Sequence, residues 1–305
     1  MTVEHLKKEP RRWISGYPIT IEIASKGEEI PIRERLEDPD HYKGPASFQA
    51  VIDFGSLAKG WRMRGQHVDR QAQWSAANLP PKGITILEFQ DPRVKTATRW
   101  ISEIAEEDFC PVPLKCQKYY DYNRNVFHYI RDYYSGRNSG ESPQFRFLGL
   151  VRAGLVAGEM LGFPASSQVL AQTKRLHLRG EREGDIAVGI SYLSAEDPRN
   201  LDGVRLLIAD PAGATYSSVI ANLVYLTEMG VRPKKVDIWN TVASHQGALF
   251  ALDAMKDLNI EGEIVAGGYS PGMNRNYYLE TRDYKPSVRD AGDGLNQFLP
   301  QELRL

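Results

Sequence analysis

The feature that most constrains the fold is a regular alternation of strand and helix patterns in the second half of the chain. The strand patterns are "FRFLGLV", "VRLLIAD", "KVDIWNTVA" and "GEIVAGGY", and the helix patterns between them are "AGLVAGEML", "SSVIANLVYLTEM" and "HQGALFALDAMKDL". Repeated strand–helix alternation predicts an α/β fold, with a parallel sheet flanked by helices on both faces. Ligands of such sheets bind outside the carboxyl ends of the strands. The residues just after each strand are therefore the first candidates for a site.

Two further helices are predicted before this region. The first, "DPRVKTATRWISEIAEEDF", has Asp91 as a candidate N-cap and Pro92 at its first position. The second, "YDYNRNVFHYIRDYYSG", has aromatic and apolar residues at helical spacing and Gly136 as a candidate C-cap. Earlier residues show one short alternating strand pattern, "GYPITIEIA", and the breaker "NLPPKG" is the best candidate boundary.

Composition argues against several classes of protein. The chain has 305 residues, of which 42% are hydrophobic and 25% charged, as is usual for a globular protein with a sizeable core. The net charge of −1, with no clustered basic face, gives no sign of nucleic acid binding. No run approaches the roughly 20 apolar residues of a membrane helix, and the charged N-terminus is not a secretory signal. Cys110 and Cys116 are too few for a disulfide scaffold and are not spaced as zinc ligands. We therefore expect a cytoplasmic protein.

A polar segment with the features of a phosphate site follows the second strand pattern. In "DPAGATYSS", Asp210 can accept hydrogen bonds from vicinal hydroxyls, and the small residues after it let the backbone approach an anion. Thr215, Ser217 and Ser218 offer hydroxyls at a helix N-terminus, where unpaired N–H groups and the helix dipole favour an anion. The segment is neither a Walker loop nor a dinucleotide fingerprint. A Ser/Thr N-cap without any ligand is the alternative.

Three other strand-end or C-terminal features carry weaker signals. Arg152 follows the first strand pattern, where its guanidinium could bind phosphate or form a structural salt bridge. His245 follows the third and could be a catalytic base, a cap or a surface residue. Asp290 and Asp293 flank Ala-Gly near the C-terminus and could serve a hydroxyl, a magnesium ion or a turn.

Taken in chain order, these segments resemble one protein family. The segments are "FLGLVRAGL", "LLIADPAGATYSS", "VASHQGALFAL", "GGYSPGMN" and "PSVRDAGD". They resemble the uracil phosphoribosyltransferase family, which carries an Arg-Ala-Gly-Leu motif, an Asp-Pro-x-x-Ala-Thr-Gly-Gly-Ser loop and a terminal Gly-Asp-Ala-Gly-Asp segment. Upstream, "LEFQDPRVKTATRWISE" is similar to the family's opening His-Pro-x-Val-Lys stretch. The resemblance covers residues 87–305, so residues 1–86 are predicted to be an N-terminal extension.

The resemblance implies a type I phosphoribosyltransferase fold, and a homodimer or higher homo-oligomer. It implies transfer of a phosphoribosyl group from 5-phosphoribosyl 1-diphosphate (PRPP) to a ring nitrogen, with Mg²⁺ as cofactor and pyrophosphate as product. The implied catalytic residues are Arg152, Asp210 and Asp290. The implied PRPP-binding residues are Arg152, Arg175 (with Lys174 as its alternative), Asp210, Pro211, Ala212, Gly213, Ala214, Thr215, Tyr216, Ser217, Ser218 and Asp290. Those implied for the acceptor are Tyr284, Arg289, Asp290 and Ala291. The metal ligands stay open.

The sequence departs from the family pattern at the loop and at the acceptor site. Tyr216 and Ser217 replace the Gly-Gly of the loop, and a tyrosine adopts positive φ only at a cost. Either the loop uses ordinary dihedral angles or its binding is altered. Ser287 and Arg289 replace glycines that border the acceptor.

Two functional hypotheses follow. The first is a PRPP-dependent transferase whose acceptor is uracil or a related heterocycle, since most of the residues implied for PRPP are present. The second is a non-catalytic protein on the same fold that senses PRPP or a nucleotide and regulates a partner, since the fold alone does not fix the function.

Overall fold

We describe the protein from a computed structural model. The residues that the structure describes are 11–13, 17–23, 48–53, 79–106, 113–137, 145–151, 153–176, 185–192, 198–270 and 279. The strands within them are β1 Arg11–Trp13, β2 Tyr17–Ile23, β3 Phe48–Asp53, β4 Ile84–Ile86, β5 Arg146–Val151, β6 Gln168–Leu176, β7 Asp185–Tyr192, β8 Arg205–Gly213, β9 Lys235–Ser244 and β10 Gly262–Ser270. The helices are α1 Pro92–Glu106, α2 Pro113–Arg137, α3 Ala153–Met160, α4 Ser217–Glu228 and α5 His245–Asp257.

All ten of these strands form one sheet, in the order β1-β2-β3-β7-β6-β5-β8-β9-β10-β4. The six strands from β6 to β4 are parallel, whereas β7, β3, β2 and β1 continue the sheet in antiparallel pairs. The predicted fold class, α/β with a parallel sheet flanked by helices, is confirmed. The carboxyl ends of the six parallel strands therefore lie along one edge of the sheet.

Strands of the predicted N-terminal extension occupy both ends of the sheet. β3 pairs with β7 from Phe48↔Ile190 to Asp53↔Asp185, and β2 and β1 follow it outwards. β4, near the end of the extension, pairs with β10 at the opposite end. The boundary between residues 86 and 87 stays a prediction, but the described strands of the extension, β1 to β4, are hydrogen-bonded into the same sheet.

Strands β6 and β7 were absent from the sequence-based prediction. The pattern of β7, "DIAVGISY", places Ile186, Val188 and Ile190 at alternate positions, which is a strand signal. Val188 and Ile190 are fully buried. The two strands form an antiparallel pair and connect the parallel strands to the extension.

Helices cover both faces of the parallel strands, as predicted. Leu206 and Ile208 of β8 point into a core that α4 and α5 complete. Leu207 and Ala209 lie on the opposite face of the same strand and point into a second core, which α1, α2 and α3 complete. All four side chains are fully buried. Burial on both faces explains why the strands read as continuous apolar runs in the sequence.

The predicted N-cap is confirmed, whereas the predicted C-cap of the second helix is wrong, and that helix, α2, begins at Pro113, seven residues before the predicted pattern. Asp91 accepts a hydrogen bond from the Arg93 amide at 2.8 Å, as an N-cap does. Gly230 follows α4 with a φ of +80°, the left-handed conformation that ends many helices. The prediction for Gly136 is wrong, because α2 continues through it to Arg137 and Gly136 does not have positive φ.

A network of charges lies at the opposite, amino edge of the sheet. The fully buried Asp237 is bonded by Arg205 (Nε to Oδ2, 2.6 Å), lies 3.4 Å from Lys235 Nζ, and accepts the Tyr134 hydroxyl at 2.5 Å. Burial, and then the charge of Asp237, raises the pKa of Tyr134 far above its ordinary value, so the phenol stays a donor. Arg205 also lies over the Tyr134 and Phe145 rings. The buried carboxylate of Asp237 is thus neutralised and hydrogen-bonded.

Replacing Arg205 tests this network. Arg205→Met removes the principal cation beside a carboxylate that stays buried, so we expect the free energy of unfolding to fall by about 3 kcal/mol. Arg124→Met, which breaks a solvent-exposed pair with Asp121 at 3.8 Å, should change it by less than about 0.5 kcal/mol. Urea denaturation of both variants gives the comparison. Equal small losses would mean that Lys235 alone neutralises Asp237.

A pH dependence follows from the first residue of α5. Burial lowers the pKa of His245 from its ordinary value of 6.5 to about 4. Because the unfolded chain binds the proton first, the contribution of His245 to stability is present above pH 6.5 and is lost as the pH falls towards 4. We expect His245→Gln to reduce the loss of unfolding free energy between pH 7 and pH 4.5, measured by urea denaturation. His128→Gln, on α2, controls for the loss of a histidine elsewhere. An unchanged pH profile in His245→Gln would contradict the assignment.

Candidate functional site

The predicted phosphate segment begins inside a strand. β8 continues to Gly213, and its last residues remain in register with β9, from Asp210↔Asn240 to Gly213↔Ala243. Only residues 214–216 separate β8 from α4. The segment lies at the carboxyl edge of the parallel strands, where the sequence placed it. It is a strand end followed by a tight turn into a helix, rather than a long loop.

Asp210 is the one acidic residue of this segment. Its side chain is half-buried, and its Oδ1 accepts a hydrogen bond from the Ala212 amide at 3.0 Å. The main-chain oxygen of Asp210 accepts a second bond, from Asn240 Nδ2 at 2.7 Å. These bonds fix the backbone and one carboxylate oxygen, so the carboxylate is oriented at the strand end.

Three side chains of β9 donate hydrogen bonds to main-chain oxygens of the segment. Asn240 bonds the oxygen of Asp210, Thr241 bonds that of Pro211 at 2.5 Å, and Ser244 bonds that of Ala214. These carbonyl groups therefore point at β9. The Ala214 amide is itself bonded to the oxygen of Ala212, so the donors left for an anion are the first amides of α4. Sequence reasoning missed all three donors, although polar residues in an apolar strand are a detectable signal.

Tyr216, which stands where the family motif has glycine, adopts the left-handed conformation. Its φ is +56°, so of the two alternatives that the sequence left open, ordinary dihedral angles are excluded. Its phenol is buried and donates to Asn240 Oδ1 at 2.7 Å. Burial, and then the charge of Asp210, raises its pKa well above the ordinary value. A Cβ atom on Gly213 would overlap the Tyr216 hydroxyl, so the phenol occupies space that only glycine leaves open.

The predicted hydroxyl groups differ in accessibility. Thr215 and Ser217 are fully buried, and their hydroxyl oxygens are hydrogen-bonded to each other at 2.9 Å. Ser218, in the first turn of α4, is half-buried. Of the three predicted hydroxyls, that of Ser218 is therefore the most accessible to a ligand. The buried pair stabilises the turn.

Helix α5 packs closely against the same turn. Ser244 is its N-cap and accepts a hydrogen bond from the Gly247 amide at 2.9 Å. A Cβ atom on Gly247 would overlap the carbonyl oxygen of Ala214, so this contact requires glycine. His245 begins the helix, and with a pKa of about 4 its imidazole is uncharged and only weakly basic at neutral pH. That basicity argues against a catalytic base there.

A buried acid that the sequence analysis did not select lies farther along this edge. Glu88 follows β4 and is 6% exposed. Its carboxylate accepts the Thr98 hydroxyl at 3.1 Å and the Tyr269 amide at 3.2 Å. It thereby bonds an amide of β10 beyond the last residue that pairs with β4. Its contacts are those of a structural acid.

Several predicted site residues are not placed by the structure. Arg152, Tyr284, Arg289, Asp290 and Ala291 lie outside the described residues. The backbone of Arg175 lies in β6 opposite Val188, but its side chain, like that of Lys174, is also outside them. Within the described part of the chain, no group of three or more His, Cys, Asp or Glu residues could hold a metal ion. No helix in that part is long and apolar enough to cross a membrane.

Comparison with solved structures finds phosphoribosyltransferases and an Aquifex aeolicus protein. An Aquifex aeolicus protein, AQ2163, has a TM-score of 0.47 and 18% identity, over 70% of this chain and 97% of that one. Trypanosoma brucei adenine phosphoribosyltransferase with AMP, pyrophosphate and ribose-5-phosphate has a TM-score of 0.37 and 12% identity, over 67% and 92%. Mycobacterium tuberculosis orotate phosphoribosyltransferase with PRPP has a TM-score of 0.35 and 12% identity, over 60% and 92%.

Comparison with protein sequences agrees with the motifs. No model of a known protein family matches the chain. Tobacco (Nicotiana tabacum) uracil phosphoribosyltransferase is 26% identical over 144 residues, which are 47% of this chain and 58% of the tobacco protein. The chain therefore matches little more than half the length of this relative. Its sequence is similar to a uracil phosphoribosyltransferase, as its motifs indicated.

Proposed function

We propose that this protein is a PRPP-dependent phosphoribosyltransferase. The observation that carries the proposal is the half-exposed carboxylate of Asp210, oriented at a strand end beside the N-terminus of α4. This arrangement offers an acceptor for ribose hydroxyls next to N–H donors for a phosphate. The sequence similarity to the tobacco uracil phosphoribosyltransferase supports transfer of a phosphoribosyl group.

In this mechanism the protein mainly binds and orients PRPP. Asp210 accepts hydrogen bonds from the ribose hydroxyls, and the first amides of α4, with the hydroxyl of Ser218, bind the 5′-phosphate. The bond between ribose C1 and the diphosphate oxygen breaks, a bond from C1 to the acceptor nitrogen forms, and the nitrogen loses its proton to solvent. Holding C1 and the nitrogen in line lowers the entropic part of the barrier. Arg152 and Arg175 are proposed for the diphosphate side, where positive charge stabilises the leaving group, and Asp290 is proposed to lie by PRPP or its Mg²⁺.

Magnesium is the proposed cofactor. Mg²⁺ is usually held by one or two protein carboxylates together with substrate phosphates and water. Among the described residues of the site, the carboxylate is that of Asp210, and one protein carboxylate together with substrate phosphates fits that pattern. Bound Mg²⁺ would neutralise charge on the diphosphate.

The acceptor is proposed to be uracil or a related nitrogen heterocycle. Ser287 and Arg289 replace glycines of the family motif; Arg289 would either take space from the acceptor pocket or add a cation that favours an acidic heterocycle over plain uracil. A panel of heterocycles with PRPP and Mg²⁺, followed by pyrophosphate release, identifies the acceptor. Tight PRPP binding without release for any acceptor would favour the regulatory alternative. Absence of both PRPP binding and pyrophosphate release would exclude the transferase, whatever its acceptor.

Asp210→Asn tests the proposed site directly. The amide keeps the shape of the side chain but loses the charge that strengthens bonds to ribose hydroxyls. We expect PRPP affinity to fall roughly 10- to 100-fold, measured by calorimetry. Asp132→Asn, at an exposed position of α2, is the matched control and should bind PRPP as the unmodified protein does. If Asp210→Asn also binds normally, Asp210 does not contact the ribose.

A further inference from the structure

We propose that Tyr216 and Asn240 are positioning residues that hold the anion-binding turn in its left-handed conformation and thereby set its affinity for the 5′-phosphate of PRPP. This inference rests on the proposed function for its ligand. Its structural part, the ordering of the turn, does not.

The conformation of Tyr216 requires a local cause. A tyrosine with a φ of +56° is uncommon, because its Cβ crowds the following carbonyl oxygen. Such strain persists where the surrounding structure fixes the residue, and it occurs preferentially at functional sites. Tyr216 is also the N-cap of α4, and it makes no side-chain capping bond. Its side chain is therefore used for something other than closing the helix.

The phenol connects the turn to β9 through a single amide. The hydroxyl of Tyr216 donates to Asn240 Oδ1 at 2.7 Å, and Asn240 Nδ2 donates to the main-chain oxygen of Asp210 at 2.7 Å. Asn240 is 1% exposed, so water does not compete for these bonds. The amide thus fixes the start of the segment at Asp210 and its end at Tyr216 at once. Losing either bond would free the turn to leave its conformation.

The shape of the segment matches the phenol. Gly213 has no Cβ, and the Tyr216 hydroxyl oxygen and Cζ lie too close to the position of that atom for any side chain to fit there. The Asn240 side chain lies 3.0 Å from the same point. The phenol is therefore enclosed by Gly213 and Asn240, and it holds the backbone of the turn from within. The Ala214 and Ser217 amides bond the Ala212 oxygen and the Thr215 hydroxyl, so the donors proposed for an anion are the next amides of the first turn of α4.

Removing the hydroxyl alone tests the proposal. Tyr216→Phe keeps the ring, and Asn240→Ala removes the amide, while Tyr225→Phe, a half-buried tyrosine on α4, is the matched control. In the full-length protein without ligand, Tyr216→Phe should speed hydrogen–deuterium exchange of the amides of residues 212–220. It should raise the Kd for PRPP and its KM about fivefold and change kcat less than twofold. Tyr225→Phe should change none of these.

A double variant separates positioning from packing. If the hydroxyl acts through Asn240, Tyr216→Phe should have no further effect on exchange in the Asn240→Ala background. Unchanged hydrogen–deuterium exchange in Tyr216→Phe overturns the proposal, whatever the change in PRPP affinity. Faster exchange with unchanged PRPP affinity overturns the assignment to phosphate binding. Faster exchange in a protein that never binds PRPP leaves the ordering of the turn established and removes the proposed function instead.

Discussion

The pairing of β8 with β9 is the constraint on which the site depends. Main-chain hydrogen bonds hold the two strands in register to Gly213. The side chains of Asn240, Thr241 and Ser244 donate further hydrogen bonds to main-chain carbonyl oxygens at the end of β8 and in the turn after it. Buried carbonyl groups need such partners. Because β9 supplies them, the chain can turn sharply into α4 without exposing those oxygens at the strand end.

The parts of the fold that the sequence predicts are those with strong local signals. Continuous apolar runs of strand length identify β5, β8, β9 and β10, and turn residues such as Gly230 mark the helix ends. β6 and β7 were missed, although the alternation in β7 was visible. β3 could not be recognised from its own residues, since its place depends on pairing with β7, more than 130 residues later. Local patterns specify elements, whereas long-range pairing decides the order of the sheet.

The candidate site shows the same division. Asp210 and the turn after it were predicted, because the acid, the small residues and the helix follow each other in the sequence. The donors of β9 were not, because they approach only through a pairing of residues 30 positions apart. Sequence reasoning framed the choice at Tyr216 correctly but could not decide it. The left-handed conformation of Tyr216 depends on the space that Gly213 leaves for the phenol and on the hydrogen bond to the Asn240 amide. Both come from tertiary structure.

The two aspartates of this strand pair differ in burial and in the groups around them. Asp237 lies at the amino edge, is fully buried, and meets Arg205, Lys235 and the Tyr134 phenol, so its charge is compensated within the protein. Asp210 lies at the carboxyl edge and is half-exposed, its Oδ1 accepts the Ala212 amide, and its main-chain oxygen accepts the Asn240 side-chain amide. A carboxylate that is only half-buried has oxygen lone pairs within reach of external hydroxyl groups, which is the role we propose for it. The fully buried aspartate stabilises the fold, whereas the half-exposed one is the residue proposed to bind the substrate.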